Sequence, residues 1–389
     1  MANRKVRMNI RLSLIRLMLL MSVLLTEGCD HDDSQPATPV LSTETILVDR
    51  NDPKAVAAPC GLTNAVCASI TDGLRSAALV RDGIPMVFIK AGTYDAEPAY
   101  PIQVSSPVML KAEPVVSGQS WPVTLVIPTN SDGMLITAAD VTLDGLLIES
   151  GAEYSMPTAI QIAESGRLTM RNTQLRLRSS LGYALAIKKH GQAVIQRSII
   201  EGGDIDSSGD LTIQDSTIQA SDKSYPSIDI SGGSLVLHRD SLDAPISEWG
   251  ASVDGVTVRT ELEHNTIYGR LLLVDGKITL IGNTIPAKDA ICTTGLGCTP
   301  VDEINIVSSR IPAVWIEVGK SSHAEISDNM ITGALWLWGP LTAQISLNRV
   351  GAMSCYDSQV KTDGTNTLLR PEGSVDCDGL PSQPGINPF

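Results

Sequence analysis

Three aspartates and a lysine are the residues of this sequence with the clearest potential for chemistry. Asp204, Asp206 and Asp229 alternate with apolar residues, so an extended chain would point their side chains, and that of Lys188, away from an apolar interior. Neighbouring carboxylates can bind Ca²⁺, which takes about six to eight oxygen ligands. A lysine or bound cation beside them could acidify a sugar proton and assist β-elimination. Alternatively, the four charges belong to a solvated face of an acidic protein.

Three tryptophans form a second candidate site. Trp315, Trp336 and Trp338 are three of the five tryptophans in the chain, and all three are predicted to point outward. An exposed indole offers a flat apolar face on which a sugar ring can stack, so these residues would suit glycan binding. Alternatively, a C-terminal tail folds back and covers them.

Other reactive residue types define no site in the sequence. The basic stretch 188–190 could contain a base, but a solvated basic turn explains it equally well. His238, His264 and His323 stand singly and lack the spacing of metal-binding pairs. The sequence contains no GxSxG, HExxH, P-loop or Rossmann motif. We therefore predict no metal or cofactor, with Ca²⁺ at the aspartates as the one option.

A repeated pattern positions these candidates. Each copy has an apolar residue at the fifth place, a small polar residue at the eighth and an apolar residue at the tenth, as in GDLTIQDSTI. Copies begin at Ala139, Gly166, Gly191, Gly209, Gly233, Val258, Gly276, Asp302, Ser322 and Leu341. Repeats of roughly 20–25 residues indicate a solenoid, whose units must stack to bury their apolar sides. A turn this short leaves no room for a helix, which excludes a βαβ or leucine-rich arrangement.

The eighth place predicts a sharp corner in every unit. It holds Thr173, Ser198, Ser216, Asp240, Asn265, Asn283, Ser309, Asn329 and Asn348. Asn, Asp and Ser tolerate left-handed backbone and form hydrogen bonds with their own chain at bends. Stacked in register, their side chains can also form a ladder from one coil to the next.

The unit of strand, strand, asparagine corner and strand resembles the right-handed parallel β-helix of the pectate lyase-like superfamily. The segment 46–95 resembles that superfamily's N-terminal cap and first coil, and an apolar stripe predicts a capping helix within 64–80. The resemblance covers residues 45–350. It implies an all-β fold, a single-stranded right-handed parallel β-helix with an N-terminal capping helix. It implies little about activity, because lyases, hydrolases, esterases and adhesins share this fold. The catalytic arginine of pectate lyases has no identifiable counterpart here.

The N-terminus has the features of an export segment followed by a lipid attachment site. Basic residues and the apolar run 17–25 precede LLTEGC at 24–29, which resembles the lipobox of bacterial lipoproteins. The run is too short to span a membrane. We expect a signal peptide at 1–28 and a lipidated tether at 29–42 that starts with Cys29, with ordinary cleavage and secretion as the alternative.

The remaining six cysteines predict disulfides. They form three local couples, Cys60 with Cys67, Cys292 with Cys298, and Cys355 with Cys377. In an exported protein such couples close small loops, whereas zinc sites would show CxxC spacing or nearby histidines. The last couple would tie a C-terminal tail at 351–389 to the β-helix at 43–350.

The net charge of the chain restricts the classes of partner that it can bind. The net charge of −14 argues against nucleic acid and anionic lipid headgroups, so membrane contact is expected through the lipid anchor only. The favoured function is non-catalytic glycan binding or surface adhesion by a lipid-anchored protein of a bacterial cell envelope, at the outer membrane or cell surface. The alternatives are a polysaccharide lyase or hydrolase that acts on an acidic glycan, and a stalk or scaffold that binds another protein.

Overall fold

The computed structural model describes residues 44–368 except 62–64, 115–120, 151–157, 179–181, 220–227, 244, 249–257, 269–270, 274–275, 286–290, 294–300, 319–321 and 363–364. Within these ranges the chain folds into one short helix, α1 (Ile70–Ala77), and parallel strands that form three sheets. No helix in this part of the chain is long and apolar enough to cross a bilayer.

The strands of each sheet follow one another from coil to coil. Sheet 1 contains β1 (Thr45–Val48), β2 (Met86–Ile89), β5 (Val108–Ala112), β8 (Val141–Asp144), β11 (Arg167–Arg171), β14 (Gln192–Gln196), β17 (Asp210–Gln214), β20 (Ser234–His238), β23 (Arg259–Glu263), β26 (Gly276–Ile281), β28 (Val301–Val307), β31 (Ser322–Ser327), β33 (Leu341–Ser346) and β35 (Gln359–Thr362). Sheet 2 contains β4 (Ile102–Val104), β7 (Met134–Ile136), β10 (Thr158–Ile162), β13 (Tyr183–Ile187), β16 (Asp204–Ser207), β19 (Ile228–Ile230), β22 (Ile246–Glu248), β25 (Leu271–Leu273), β27 (Ile291–Thr293), β30 (Val314–Glu317), β32 (Met330–Trp338), β34 (Arg349–Tyr356) and β36 (Thr367–Leu368), with β29 (Arg310–Ile311) paired to β32. Sheet 3 contains β3 (Gly92–Tyr94), β6 (Val123–Ile127), β9 (Leu147–Ser150), β12 (Gln174–Leu177), β15 (Ile199–Glu201), β18 (Thr217–Gln219), β21 (Ser241–Asp243) and β24 (Thr266–Ile267).

From β2 to β25 each coil consists of a strand of sheet 1, a strand of sheet 3 and a strand of sheet 2, and the described strands that follow belong to sheets 1 and 2. Each strand pairs in parallel with its equivalents in the preceding and following coils, as β11 does with β8 and β14. The predicted parallel β-helix is therefore confirmed.

The core consists of stacks of aliphatic side chains. In sheet 2, successive paired positions hold Ile160, Leu185, Ile205, Ile228 and Ile246. None of these side chains is more than 1% exposed. Burying an Ile or Leu side chain contributes about 1.5–3 kcal/mol. Because these side chains are buried by stacking on the adjacent coils, a coil depends on its neighbours for its stability.

The corner between sheets 1 and 3 differs by one residue from the prediction. The left-handed backbone lies at the seventh place, where Asn172, Arg197, Asp215, Arg239, His264, Gly282, Ser308, Asp328 and Leu347 have φ between 46° and 62°. The chain bends at the left-handed residue, and the eighth side chain that follows lies inside the coil. Every eighth-place residue named above is 4% exposed or less.

The predicted ladder at the eighth place is confirmed. Each eighth-place backbone N–H donates to the side-chain oxygen one coil further on, at 2.7–3.2 Å, from Thr173 through Ser198, Ser216, Asp240, Asn265, Asn283, Ser309, Asn329 and Asn348 to Asn366. The asparagine side chains also donate to a backbone carbonyl of the preceding coil, as from Asn283 to Leu262 at 2.7 Å. Polar groups buried at the corner are thereby satisfied.

Helix α1 covers the first coil, as predicted. Ser69 caps it by accepting a hydrogen bond from the Asp72 N–H, and Glu97 accepts from the first two helical N–H groups. The helix lies so close to sheet 1 that a Cβ on Gly73 would stand 2.7 Å from a Val48 methyl group. The apolar end of the stack is thus closed at the N-terminal side.

The β-helix extends beyond residue 350, so the predicted start of the tail at 351 is wrong. Strand β34 pairs with β32 along its length, and β35 and β36 begin a further coil that reaches Leu368. Apolar side chains such as Met353 and Val360 continue the core stacks, which explains the extension.

Candidate functional site

The two sites predicted from the sequence lie on one sheet. The outward positions of sheet 2 form a column of paired residues that runs through Ala186, Asp206, Asp229, Ser247, Leu272, Cys292, Trp315, Trp336 and Ser354. The aspartates and the tryptophans are therefore separated by three coils along one face.

Asp206 and Asp229 are direct neighbours in adjacent coils. Asp229 is partly buried, and its Oδ1 accepts no hydrogen bond from the described residues. Burial, and secondly the charge of Asp206, raise the pKa of Asp229 above its ordinary value. This carboxyl group therefore holds its proton more firmly than a solvated one.

The other two members of the predicted set lie beside this pair. Asp204 is two residues before Asp206 on the same face of β16, opposite Tyr183 of β13. Lys188 is exposed in the turn that follows β13, one coil before the aspartates. The structure thus brings together the two aspartates of adjacent coils and leaves the lysine at the margin.

The tryptophans form an aromatic patch with a fourth residue that the sequence analysis missed. Trp315 lies 6.0 Å from Trp336 and 6.0 Å from Trp338 between ring centroids, and Trp338 lies 5.5 Å from Tyr356. The exposed fractions are 36% for Trp336, 41% for Trp338 and 67% for Tyr356. We name these four residues the aromatic patch.

Tyr356 was missed because it falls within the segment predicted as a tail. Met353 and Cys355 are buried, so the next residue in the alternation, Tyr356, points outward. The strand register places it opposite Trp338. In the part of the segment 351–389 that the structure describes, the chain forms the next coil and leaves these rings exposed to the extent given above.

A further cluster on sheet 1 escaped the sequence analysis. His238 ends β20, Glu263 is its paired neighbour on β23, and His264 follows at the corner. Side-chain donor atoms of all three lie within 4.8 Å of one another. The histidines that stand singly in the sequence are thus brought together by adjacent coils.

The cysteine predictions are confirmed in one case. Cys60 and Cys67 form a disulfide with a Cα–Cα distance of 5.2 Å, next to α1. Cys355 is disulfide-bonded, and its expected partner Cys377 lies outside the described residues, as do Cys29 and Cys298. For Cys292 only the backbone is described, so its pairing with Cys298 stays a prediction.

Comparison with known proteins gives one limited likeness. No protein-family model matches the sequence, and a search of curated proteins gives no match. Among solved structures, the Streptococcus pneumoniae surface protein and adhesin PfbA is similar with a TM-score of 0.37 and 11% identity, over 79% of this chain and 94% of that chain. The β-helix of the present chain is established by its own strand pairing.

Proposed function

We propose that this chain is an exported, lipid-anchored protein of a bacterial cell envelope that binds glycans through the aromatic patch without cleaving them. The observation that carries the proposal is the cluster of four neighbouring rings, three of them exposed by 36–67%. Aromatic residues make up only 4% of the chain, so their concentration on one face is distinctive. Large exposed apolar surfaces of this kind mark binding sites.

The geometry of the sheet suits an extended carbohydrate chain. Trp315, Trp336 and Trp338 are carried by paired strands, and the inward residues between them, such as Leu335 and Leu337, are fully buried. Core packing therefore fixes the backbone beneath the rings. Successive coils rise by about 4.8 Å, which presents stacking faces at regular intervals along the solenoid axis.

Retention on glycans tests this proposal. We expect the full chain to be retained on some member of a panel of neutral and acidic polysaccharides, and Trp336→Ala combined with Trp338→Ala to weaken retention at least tenfold. Tyr268→Ala, which removes a ring that is 53% exposed outside the patch, should have no effect. Equal retention of the double variant and the unchanged protein would contradict the proposal.

A polysaccharide lyase or hydrolase is the second candidate, favoured by the raised pKa of Asp229 beside Asp206 and by its Oδ1, which has no hydrogen-bond partner among the described residues. A carboxyl group with a raised pKa suits the role of general acid, and Asp206 would serve as a base or Ca²⁺ ligand. Asp204 and Lys188 would contribute charge.

Incubation with the same panel of polysaccharides, run with Ca²⁺ and with chelator, tests this second candidate. New reducing or unsaturated chain ends that disappear in Asp229→Asn would establish this function. If the protein is neither retained on any glycan nor able to cleave one, a stalk or scaffold function is favoured.

Export and lipidation rest on the sequence of the first 29 residues. We expect a radiolabelled fatty acid to be incorporated into the full chain in a bacterial host. The label should be absent from Cys29→Ser, which keeps the chain length and a side chain of similar size but removes the thiol. Equal labelling of the two proteins would place the lipid elsewhere, and no labelling of either would favour ordinary secretion.

A further inference from the structure

The cluster of His238, Glu263 and His264 has the geometry of a metal site. His238 Nε2 lies 3.4 Å from Glu263 Oε2, and His264 Nδ1 lies 3.4 Å from Glu263 Oε1. Ligands that stand about 2.0–2.1 Å from a tetrahedral zinc ion are separated from each other by roughly 3.3–3.4 Å. Each imidazole nitrogen thus stands at about a tetrahedral ligand distance from one oxygen of the carboxylate, and one donor atom from each of the three residues lies within 4.8 Å of the others.

The β-helix fixes the positions of these ligands. His238 and Glu263 are paired in register on sheet 1, so their side chains leave adjacent strands on the same side. The two imidazole rings are nearly perpendicular, at 85°, with centroids 6.2 Å apart. Their nitrogens can therefore approach one point from different directions.

Gly282 of the next coil makes room for the second histidine. A Cβ at Gly282 would stand 2.7 Å from Cδ2 of His264 and 3.0 Å from its Nε2. The imidazole therefore lies directly against the glycine backbone, which restricts where the ring can go. The backbone N–H of His264 is also held, by the Ile281 carbonyl at 2.8 Å.

Arg239 is the one feature that opposes a cation here. Its Nη1 lies 3.2 Å from His238 Nε2, the nitrogen that faces Glu263. The same guanidinium group makes two hydrogen bonds to Asp215, at 2.6 and 2.8 Å, which offset part of its charge. The arginine therefore occupies the position from which a metal would bind His238.

We propose that His238, Glu263 and His264 bind a divalent transition-metal ion, with zinc as the best fit, and that the ion displaces Arg239 from His238. Two imidazoles and one carboxylate form the nitrogen–oxygen donor set that zinc and its first-row neighbours prefer, whereas Ca²⁺ and Mg²⁺ prefer oxygen ligands. The side chains of Glu263 and His264 are 46% and 56% exposed, so water can take the remaining position.

Titration of the full chain, produced without a histidine tag and stripped with chelator, tests the proposal. We expect calorimetry to detect one Zn²⁺ per chain at this site, and Co²⁺ in its place to give the visible absorption of a low-coordinate ion. Mg²⁺ should not compete. His264→Asn, which suits the left-handed backbone, and Glu263→Gln should each weaken Zn²⁺ binding at least tenfold.

Two further variants make the test specific. His323→Asn removes an exposed histidine from another strand of sheet 1 and should leave binding unchanged. Arg239→Asn removes the competing cation and should tighten binding at least threefold. The proposal is overturned if wild-type protein binds no stoichiometric Zn²⁺, if His264→Asn binds as tightly as wild type, or if Arg239→Asn weakens binding.

Discussion

Replacing Asp240 by asparagine should stabilise the protein by about 3 kcal/mol at pH 8. Asp240 is 3% exposed within the corner ladder, and burial raises its pKa to about 7 despite hydrogen bonds from the Ser216 and His238 N–H groups. A rise from 3.8 to about 7 corresponds to roughly 4 kcal/mol for ionising the group in the folded state. Asparagine loses the bond from His238, which costs about 1 kcal/mol.

The same substitution should remove most of the pH dependence that this corner causes. Between about pH 4 and 7 the folded state keeps the proton that the unfolded chain releases, so wild-type stability falls as the pH rises and levels off above about 7. Below pH 4 both states are protonated and the penalty is absent. The asparagine side chain does not titrate but lacks the bond from His238, so the advantage of the variant should vanish at about pH 4.5 and reverse slightly below it.

Denaturant unfolding at pH 4.5 and pH 8, with chelator present so that no bound metal contributes, measures this effect. Asp328→Asn is the matched control, because Asp328 lies at the solvent side of an equivalent corner with a left-handed backbone. This variant keeps Asp240, so its stability should still fall as the pH rises from about 4 to 7. An Asp240→Asn protein with the wild-type profile, or with lower stability at pH 8, would show that the buried carboxyl is not destabilising.

Replacing Asn283 by alanine should destabilise the protein by about 3–5 kcal/mol. Its Oδ1 accepts from the backbone N–H and the Nδ2 of Asn265, and its Nδ2 donates to the Leu262 carbonyl. Alanine would remove all three bonds and leave their partner groups at a buried corner without them, and each buried polar group that loses its partner costs about 1–3 kcal/mol before the structure relaxes. Asn283 itself is 1% exposed.

Asn283→Ser is the informative comparison for that variant. Serine occurs at the same place in other coils, where Ser309 Oγ accepts the Asn283 N–H at 3.2 Å. The serine hydroxyl should still accept a hydrogen bond from Asn265 but cannot donate to the Leu262 carbonyl. The loss of stability should therefore be about half of that caused by alanine. The denaturant midpoint of unfolding should be highest for the wild type, lower for Asn283→Ser and lowest for Asn283→Ala. A loss below about 1 kcal/mol for alanine would mean that the ladder adds little stability.

Much of the fold could be predicted because the repeat shows its own periodicity. The fifth-place apolar residue marked the sheet 1 strand of every copy, and the inward alternation in sheet 2 followed from residues such as Ile228 and Ile230. The left-handed corner was misplaced because Arg197, Arg239 and Leu347 are of residue types that do not favour that backbone. Their conformation is imposed by the ladder residue that follows, which is a tertiary effect.

The extension of the β-helix beyond residue 350 was missed for a related reason. The fifth-place Ile345 pairs with Thr362 of β35, so this unit carries a polar residue where the other copies carry an apolar one. Asn366 nevertheless continues the ladder and accepts the Asn348 N–H at 2.9 Å. The fifth-place apolar pattern therefore did not mark this unit.

The candidate sites were predictable to different degrees. The outward aspartates and tryptophans followed from a period of two within single strands. The histidine cluster did not, because its members come from adjacent coils, and coils here differ in length by up to 9 residues, from 18 to 27. Metal motifs with fixed spacing cannot detect ligands that are brought together by stacking alone.

The left-handed seventh place has a consequence for how this chain can change. Its side chain points to solvent while the eighth-place ladder holds the backbone, so the position accepts residues as different as Arg239, His264 and Leu347. Substitutions there alter surface chemistry without altering the coil that carries them. The corner is therefore an array of exchangeable positions about 4.8 Å apart, on which new recognition surfaces can evolve or be designed independently of folding.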